Sequence, residues 1–488
     1  MQRFLRAAAY AVVVVIGAFA LDVPGAMAQT EDAQTEDAQA EGAQTEGAPA
    51  QAEGAQADAE TDADDDGGIF PFPYQRFELD NGLRVYLIEG GAPDQIAYVT
   101  MVRTGSRDEV EAGKSGFAHF FEHMMFRGTE KYPNYDGVSE QMGAARNAST
   151  SDDWTRYYLV ASNEYLEQIV DLESDRFKNL KYAEPAFRTE AGAILGEYQN
   201  NAYSPFSVLD RALRELVWTK HTYRHSTIGF EADVRAMPEG FEYSRSFYDR
   251  YYRPENCVLL VVGDFDREQA ERLIREHYGD WQPGYQAPEV PVEPPQQGER
   301  TRVVEYPGNT LPIVTINYRA PAWSASEELP VAIELLGPVA FGPNSEIYRK
   351  LVIDEQRVQF LEPAFQLQRD PTIVSIVAMV SDPADVDAVR SELLAAVEKA
   401  RSEPVDAKLL ADTKSNQKYG FLMGLETALG TAFSLTQPII DTGGIEAIDD
   451  YYRTLEGITP ELIQQAAREV LVESARSLVT LVQAGGES

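Results

Sequence analysis

The chain has 488 residues, 42 Lys and Arg against 79 Asp and Glu, and a formal net charge of −37. Such an acidic protein is a poor partner for nucleic acid or anionic membrane surfaces. A single cysteine, Cys257, excludes an intramolecular disulfide and a thiolate metal site.

Residues 1–28 read as a secretory signal. Arg3 and Arg6 precede an apolar run, and Ala26-Met27-Ala28 forms an A-x-A cleavage site. This predicts a periplasmic protein of Gram-negative type, with no membrane span after cleavage. Residues 29–71 are mostly TEDAQ-like repeats with acidic residues throughout and no basic ones, a composition that predicts a disordered segment. The rest is too long for one core and suits two domains. Residues 72–283 form the first, 284–300 a linker rich in Pro and Gln, and 301–488 the second.

In the first domain, residues 77–88 (FELDNGLRVYLI) read as strand, Asn-Gly turn and strand, and residues 97–103 as a third strand. Residues 116–133 (GFAHFFEHMMFRGTEKYP) follow. At 100° per residue, His119, Glu122, His123 and Phe126 share one arc, with Phe117, Phe120, Phe121, Met124 and Met125 opposite. Ser115 is the expected N-cap and Gly128 the expected stop. His119-x-x-Glu122-His123 is the inverted H-x-x-E-H motif. Two imidazoles one turn apart can aim at one ion, and a neighbouring carboxylate can take a proton from a water the ion activates. With five histidines in the chain, two in one such window point to a metal rather than to isolated polar side chains. Glu197 offers a third ligand, on a helix opened by Pro185. Glu190 lies on the same face, two turns earlier, where it can hydrogen-bond a ligand histidine.

With residues 143–158 (GAARNASTSDDWTRYY) and 190–198 (EAGAILGEY), these stretches resemble the pitrilysin, insulin-degrading enzyme and mitochondrial processing peptidase family of inverted zinc metallopeptidases. The resemblance is sharp in the first half and loose in the second. It implies Zn2+ on His119, His123 and Glu197, catalytic roles for Glu122 as general base and for Glu190 in orienting the site, and a peptide or unfolded polypeptide as substrate. It also implies that the substrate adds as a strand along Asn147, Ala148, Ser149 and Thr150. The fold implied is α+β: two homologous domains, each a mostly antiparallel sheet with helices packed on it, forming half of a clam-shell chamber.

Further along, His221 and His225 also stand four apart, but their surroundings read as a loop. Cys257 opens a buried strand. In the second domain residues 303–306 and 313–318 read as strands, and residues 327–336 as a helix in the place held earlier by the metal helix. Residues 373–380 read as a strand, residues 385–401 and 407–422 as helices, and Thr459 as the cap of one more. No second H-x-x-E-H occurs. Where family members that work alone carry an Arg and a Tyr that bind the scissile carbonyl, this chain has Val352 and Gln359. The reading is therefore a zinc endopeptidase subunit that needs a homologous partner carrying Arg and Tyr, in a heterodimer. The alternatives are a self-sufficient homodimeric peptidase and a non-catalytic scaffold subunit.

Overall fold

The computed structural model describes residues 68–91 and 93–485. The signal and nearly all of the acidic segment lie outside them. Residues 69–71, assigned above to that segment, are held: Ile69 N donates to Asp449 Oδ1 at 2.6 Å, and Phe70 packs edge-on against Phe72.

Eleven strands among the described residues form two sheets. The first contains β1 (Tyr74–Glu78), β2 (Arg84–Glu89), β3 (Gln95–Val102), β4 (Ala145–Thr150), β5 (Thr155–Ser162) and β6 (Cys257–Gly263), in the order β1-β2-β6-β3-β5-β4. The second contains β7 (Arg300–Tyr306), β8 (Ile313–Ala320), β9 (Val358–Ala364), β10 (Thr372–Val380) and β11 (Arg476–Gln483), in the order β7-β11-β8-β10-β9. Apart from β1 the two orders correspond strand for strand. In each, one pair is parallel (β2 with β6, β7 with β11) and the others are antiparallel. The helix Glu328–Phe341 follows β8 as the metal helix follows β3, so the weak repeat in sequence is a repeat in structure. The fold is the expected α+β pair of homologous units.

Alternation along β6 explains how the halves join. Cys257, Leu259 and Val261 face a core built from the first half's own helices. Val258, Leu260 and Val262 face a second core that continues into the helix Ala428–Thr442 and the second sheet. The strand is apolar throughout because both faces are covered. Each such side chain contributes about 1.5–3 kcal/mol on burial.

A polar tie supplements this core. Arg107 Nε donates to Asp370 Oδ2 at 2.6 Å, and His221 Nε2 lies 3.0 Å from the same oxygen. Burial alone would raise the Asp370 carboxyl, but His221 and Arg107 outweigh it and hold the group well below the ordinary carboxylate range. A depressed pKa stabilises the fold above the unfolded value and ceases to do so as pH falls. Asp370→Asn should therefore cost about 1–3 kcal/mol at neutral pH. The difference from wild type should be full above about pH 5 and shrink progressively below it. Thermal melts of both proteins across that range check this.

Residues 281–299 contain neither helix nor strand, as a linker would. They are nevertheless pinned: the Glu293 carboxylate accepts from the backbone N–H of Thr219, Lys220 and His221. Several boundaries differ from expectation. β1 begins at Tyr74 rather than 77, and the helix expected at residues 327–336 runs to Phe341.

Candidate metal centre

The helix Phe117–Met124 begins one residue after Gly116, which takes φ 94° and ψ 2°. A Cβ there would lie 2.7 Å from the Ile228 carbonyl oxygen, so glycine is required by both conformation and space. Ser115 is not the cap. Its Oγ donates to Asp233 Oδ2 at 2.6 Å and accepts from Phe230 N at 2.8 Å. Glu109 caps the helix instead, accepting from Gly116 N and Ala118 N, each at 2.7 Å. Phe117, Phe120, Phe121 and Met124 are buried, with Phe121 stacked on Phe247 at 5.3 Å. This anchors the opposite face, where His119, Glu122 and His123 stand.

The helix Glu184–Asn201 packs across that face and brings Glu190 and Glu197 to it. One ligand atom each of His119, His123 and Glu197 lies within 4.8 Å of the others. His119 Nε2 is 3.5 Å and His123 Nε2 3.6 Å from Glu197 Oε2. Glu190 Oε1 accepts from His123 Nδ1 at 3.0 Å, which turns Nε2 toward the shared point. Arg127 Nε donates to Glu190 Oε2 at 2.6 Å. Burial works to raise the Glu190 carboxyl, but His123 and Arg127 prevail and lower it. The hydrogen bond to Glu190 raises His123. Burial, then the neighbouring His123, push His119 down to about 3, keeping its imidazole neutral as a ligand must be. Two neutral-capable imidazoles and a carboxylate, with one imidazole oriented from behind, fit a divalent zinc site with an open position.

Glu122 points into the same space. Burial raises its carboxyl above the ordinary value, and the Thr150 hydroxyl, donating to Oε2 at 2.6 Å, opposes this. Thr150 ends β4, the edge strand of the first sheet, so Asn147, Ala148, Ser149 and Thr150 form an outer strand running to the metal residues. Thr150 thus contacts Glu122 directly. Ser149 Oγ accepts from Arg156 Nη2 at 3.3 Å, and Ala148 is buried.

His119, Glu197 and Thr150 line a cleft of about 510 Å³ whose far wall comes from the second half, including Ala364, Gln366, Gln368 and Ser375. Val352 sits in the π-helical segment Arg349–Asp354, packed on the second core, and Gln359 is exposed on β9, donating to Ser381 Oγ at 3.1 Å. Neither is among the cleft's lining residues. His221 and His225 are not brought together with a third ligand among the described residues. His221 instead holds Asp370, and His225 Nδ1 lies 3.0 Å from Ser226 O. A larger cleft of about 940 Å³ lies in the second half, between the helices Val386–Ser402 and Ala407–Gly424, and contains none of the metal residues.

Glu109, Arg127 and the Arg214–Asp152 pair beside the cleft were missed from sequence. Arg127 follows His123 by one turn and could have been found from that spacing; Glu109 lies seven residues before Gly116, across an irregular stretch with no periodicity to read, and Arg214 and Asp152 come from distant segments.

Two matching sheets, with an inverted histidine motif on the first helix of one half and a distal glutamate completing it, define the architecture of the inverted zinc peptidases. The chain belongs to the insulinase family, peptidase family M16: residues 86–230 match the model described as Insulinase (Peptidase family M16), and residues 241–417 that described as Peptidase M16 inactive domain. The zinc protease PqqE of Helicobacter pylori is 26% identical over 418 residues, covering 84% of this chain and 92% of that protein. A crystal structure of a protease from Helicobacter pylori superposes with a TM-score of 0.77 at 26% identity, over 84% of this chain and all (100%) of that one. The periplasmic protease PqqL of Escherichia coli shares the fold at 21% identity and a TM-score of 0.69, over 85% of this chain but 48% of its own length.

Proposed function

We propose that the chain is the zinc-bearing subunit of an endopeptidase, with zinc held by His119, His123 and Glu197. The observation that carries this reading is the convergence of those three ligand atoms within 4.8 Å, with the Glu122 carboxylate beside them. Zinc, when bound, supplies a Lewis acid that polarises the scissile carbonyl and acidifies an attacking water. Glu122 takes the proton of that water and returns it to the leaving amine. Thr150 holds Glu122 in place. Glu190, tied to Arg127, fixes the ring of His123. The peptide adds to the open edge of β4, along Asn147 to Thr150, which directs its carbonyl toward Glu122. The homologous partner completes the chamber.

The signal-like residues 1–28, together with the likeness to the periplasmic protease PqqL of Escherichia coli, support a periplasmic location. No helix among the described residues is long and apolar enough to cross a membrane. The scaffold alternative is disfavoured by an intact motif with its supporting residues in place.

Metal content tests the assignment. The purified chain should hold about one zinc, set by a three-ligand site with an open position. Glu197→Gln should lower the occupancy sharply, and joint replacement of His119 and His123 by Ala should abolish it. Full zinc by atomic absorption in that double variant would refute the ligand set.

A further inference from the structure

Two cations line the cleft beside the metal residues, Arg211 and Arg214. Arg214 is already engaged: its terminal nitrogens donate to Asp152 at 3.2 and 3.1 Å, and Nε to both oxygens of Asp210 at 3.1 Å. Arg211 is not. Its guanidinium stands 5.2 Å from the centroid of the Tyr198 ring, and among the described residues no carboxylate forms an ion pair with it. Tyr198 directly follows the ligand Glu197, so the stacked guanidinium is held close to the metal residues with its N–H fork uncommitted. Asp210, its neighbour in sequence, is claimed by Arg214. Much of the remaining lining is hydroxyl and amide, as at Ser207, Ser226, Gln366 and Gln368. Three acidic residues, Asp152, Glu197 and Asp210, also line the cleft, and Arg214 pairs with two of them. That leaves Arg211 as the cleft-lining guanidinium able to take an anionic group from outside.

We propose that Arg211 binds a carboxylate of the substrate peptide, making the chain selective for peptides with an acidic group near the bond to be cut. The proposal rests on the peptidase reading above. That carboxylate is either an Asp or Glu side chain or a free C-terminus.

The test measures binding rather than turnover. The full-length mature chain carrying Glu122→Gln is loaded with zinc and titrated into fluorescein-labelled decapeptides followed by anisotropy. One series is C-terminally amidated, with a single Asp or Asn moved through the sequence. A second lacks acidic residues and ends in a free or an amidated carboxyl. One register of the Asp series, or the free-carboxyl peptide, should bind about tenfold tighter than its neutral counterpart, as a charge-assisted bond in a partly desolvated site gives. Arg211→Gln should erase that ratio, Arg211→Lys should keep part of it, and Arg211→Glu should turn the preference toward Lys peptides. Arg211 is only partly buried, so these variants should melt with the parent. A ratio unchanged in Arg211→Gln, or peptides bound with no acidic preference, overturns the proposal and leaves the peptidase reading intact. A fully zinc-loaded chain that binds none of the peptides, alone or with the homologous subunit added, overturns both.

Discussion

Glu122→Gln should reduce peptide hydrolysis by about 10²–10⁴-fold while leaving zinc content and melting temperature unchanged. The amide is isosteric with the carboxylate and can still accept the Thr150 hydroxyl at Glu122 Oε2. It has no basic oxygen with which to take a proton. Because Glu122 is not one of the three converging ligand atoms, the metal should stay. The loss should fall on kcat with little change in KM, since the proton moves in the transition state and not on binding. The measurement is steady-state hydrolysis of a quenched fluorescent peptide in whichever assembly is active, with zinc determined on the same samples. Wild-type rates in the variant would remove Glu122 from the mechanism.

How far the site could be read from sequence followed from how local each feature is. The helix Phe117–Met124 was legible because its pattern lies within two turns: His119, Glu122 and His123 on one arc and Phe117, Phe120, Phe121 and Met124 on the other, although His119 is buried along with the apolar arc. The pairing of Glu190 with His123 followed from a two-turn offset on a single helix. Features assembled from distant segments were not legible. Ser115 has the residue type of a cap, yet Asp233 and Phe230 claim its hydroxyl, and the buried Glu109 serves the helix instead. The helix Ala428–Thr442 was not foreseen. It contains Pro438 and several β-branched residues, which argue against a helix locally, while burial against β3 and β6 decides in its favour. Strands were the converse case: β6 is apolar at every position, and a run of that kind announces cover on both faces.

The isolated chain should be a weak or inactive peptidase, and a homologous subunit that brings an Arg and a Tyr should switch it on. Taking a proton from water accounts for half of the reaction; the charge growing on the carbonyl oxygen also needs donors. Losing one such donor typically costs on the order of 10²–10³ in rate. The family resemblance puts Val352 and Gln359 at the two positions concerned. A valine has no donor, and the Gln359 amide is exposed on β9, bonded to Ser381 and outside the cleft. Pairing two copies of this chain does not help, because each copy brings the same Val352 and Gln359. Hydrolysis is measured for the chain by itself, then after adding a purified paralogue that carries the Arg and Tyr, with Glu122→Gln as the control in both. A rise of about 10²-fold or more, lost in the control, is the expected result. Undiminished Glu122-dependent turnover by the chain alone would show instead that donors within its own fold complete the site.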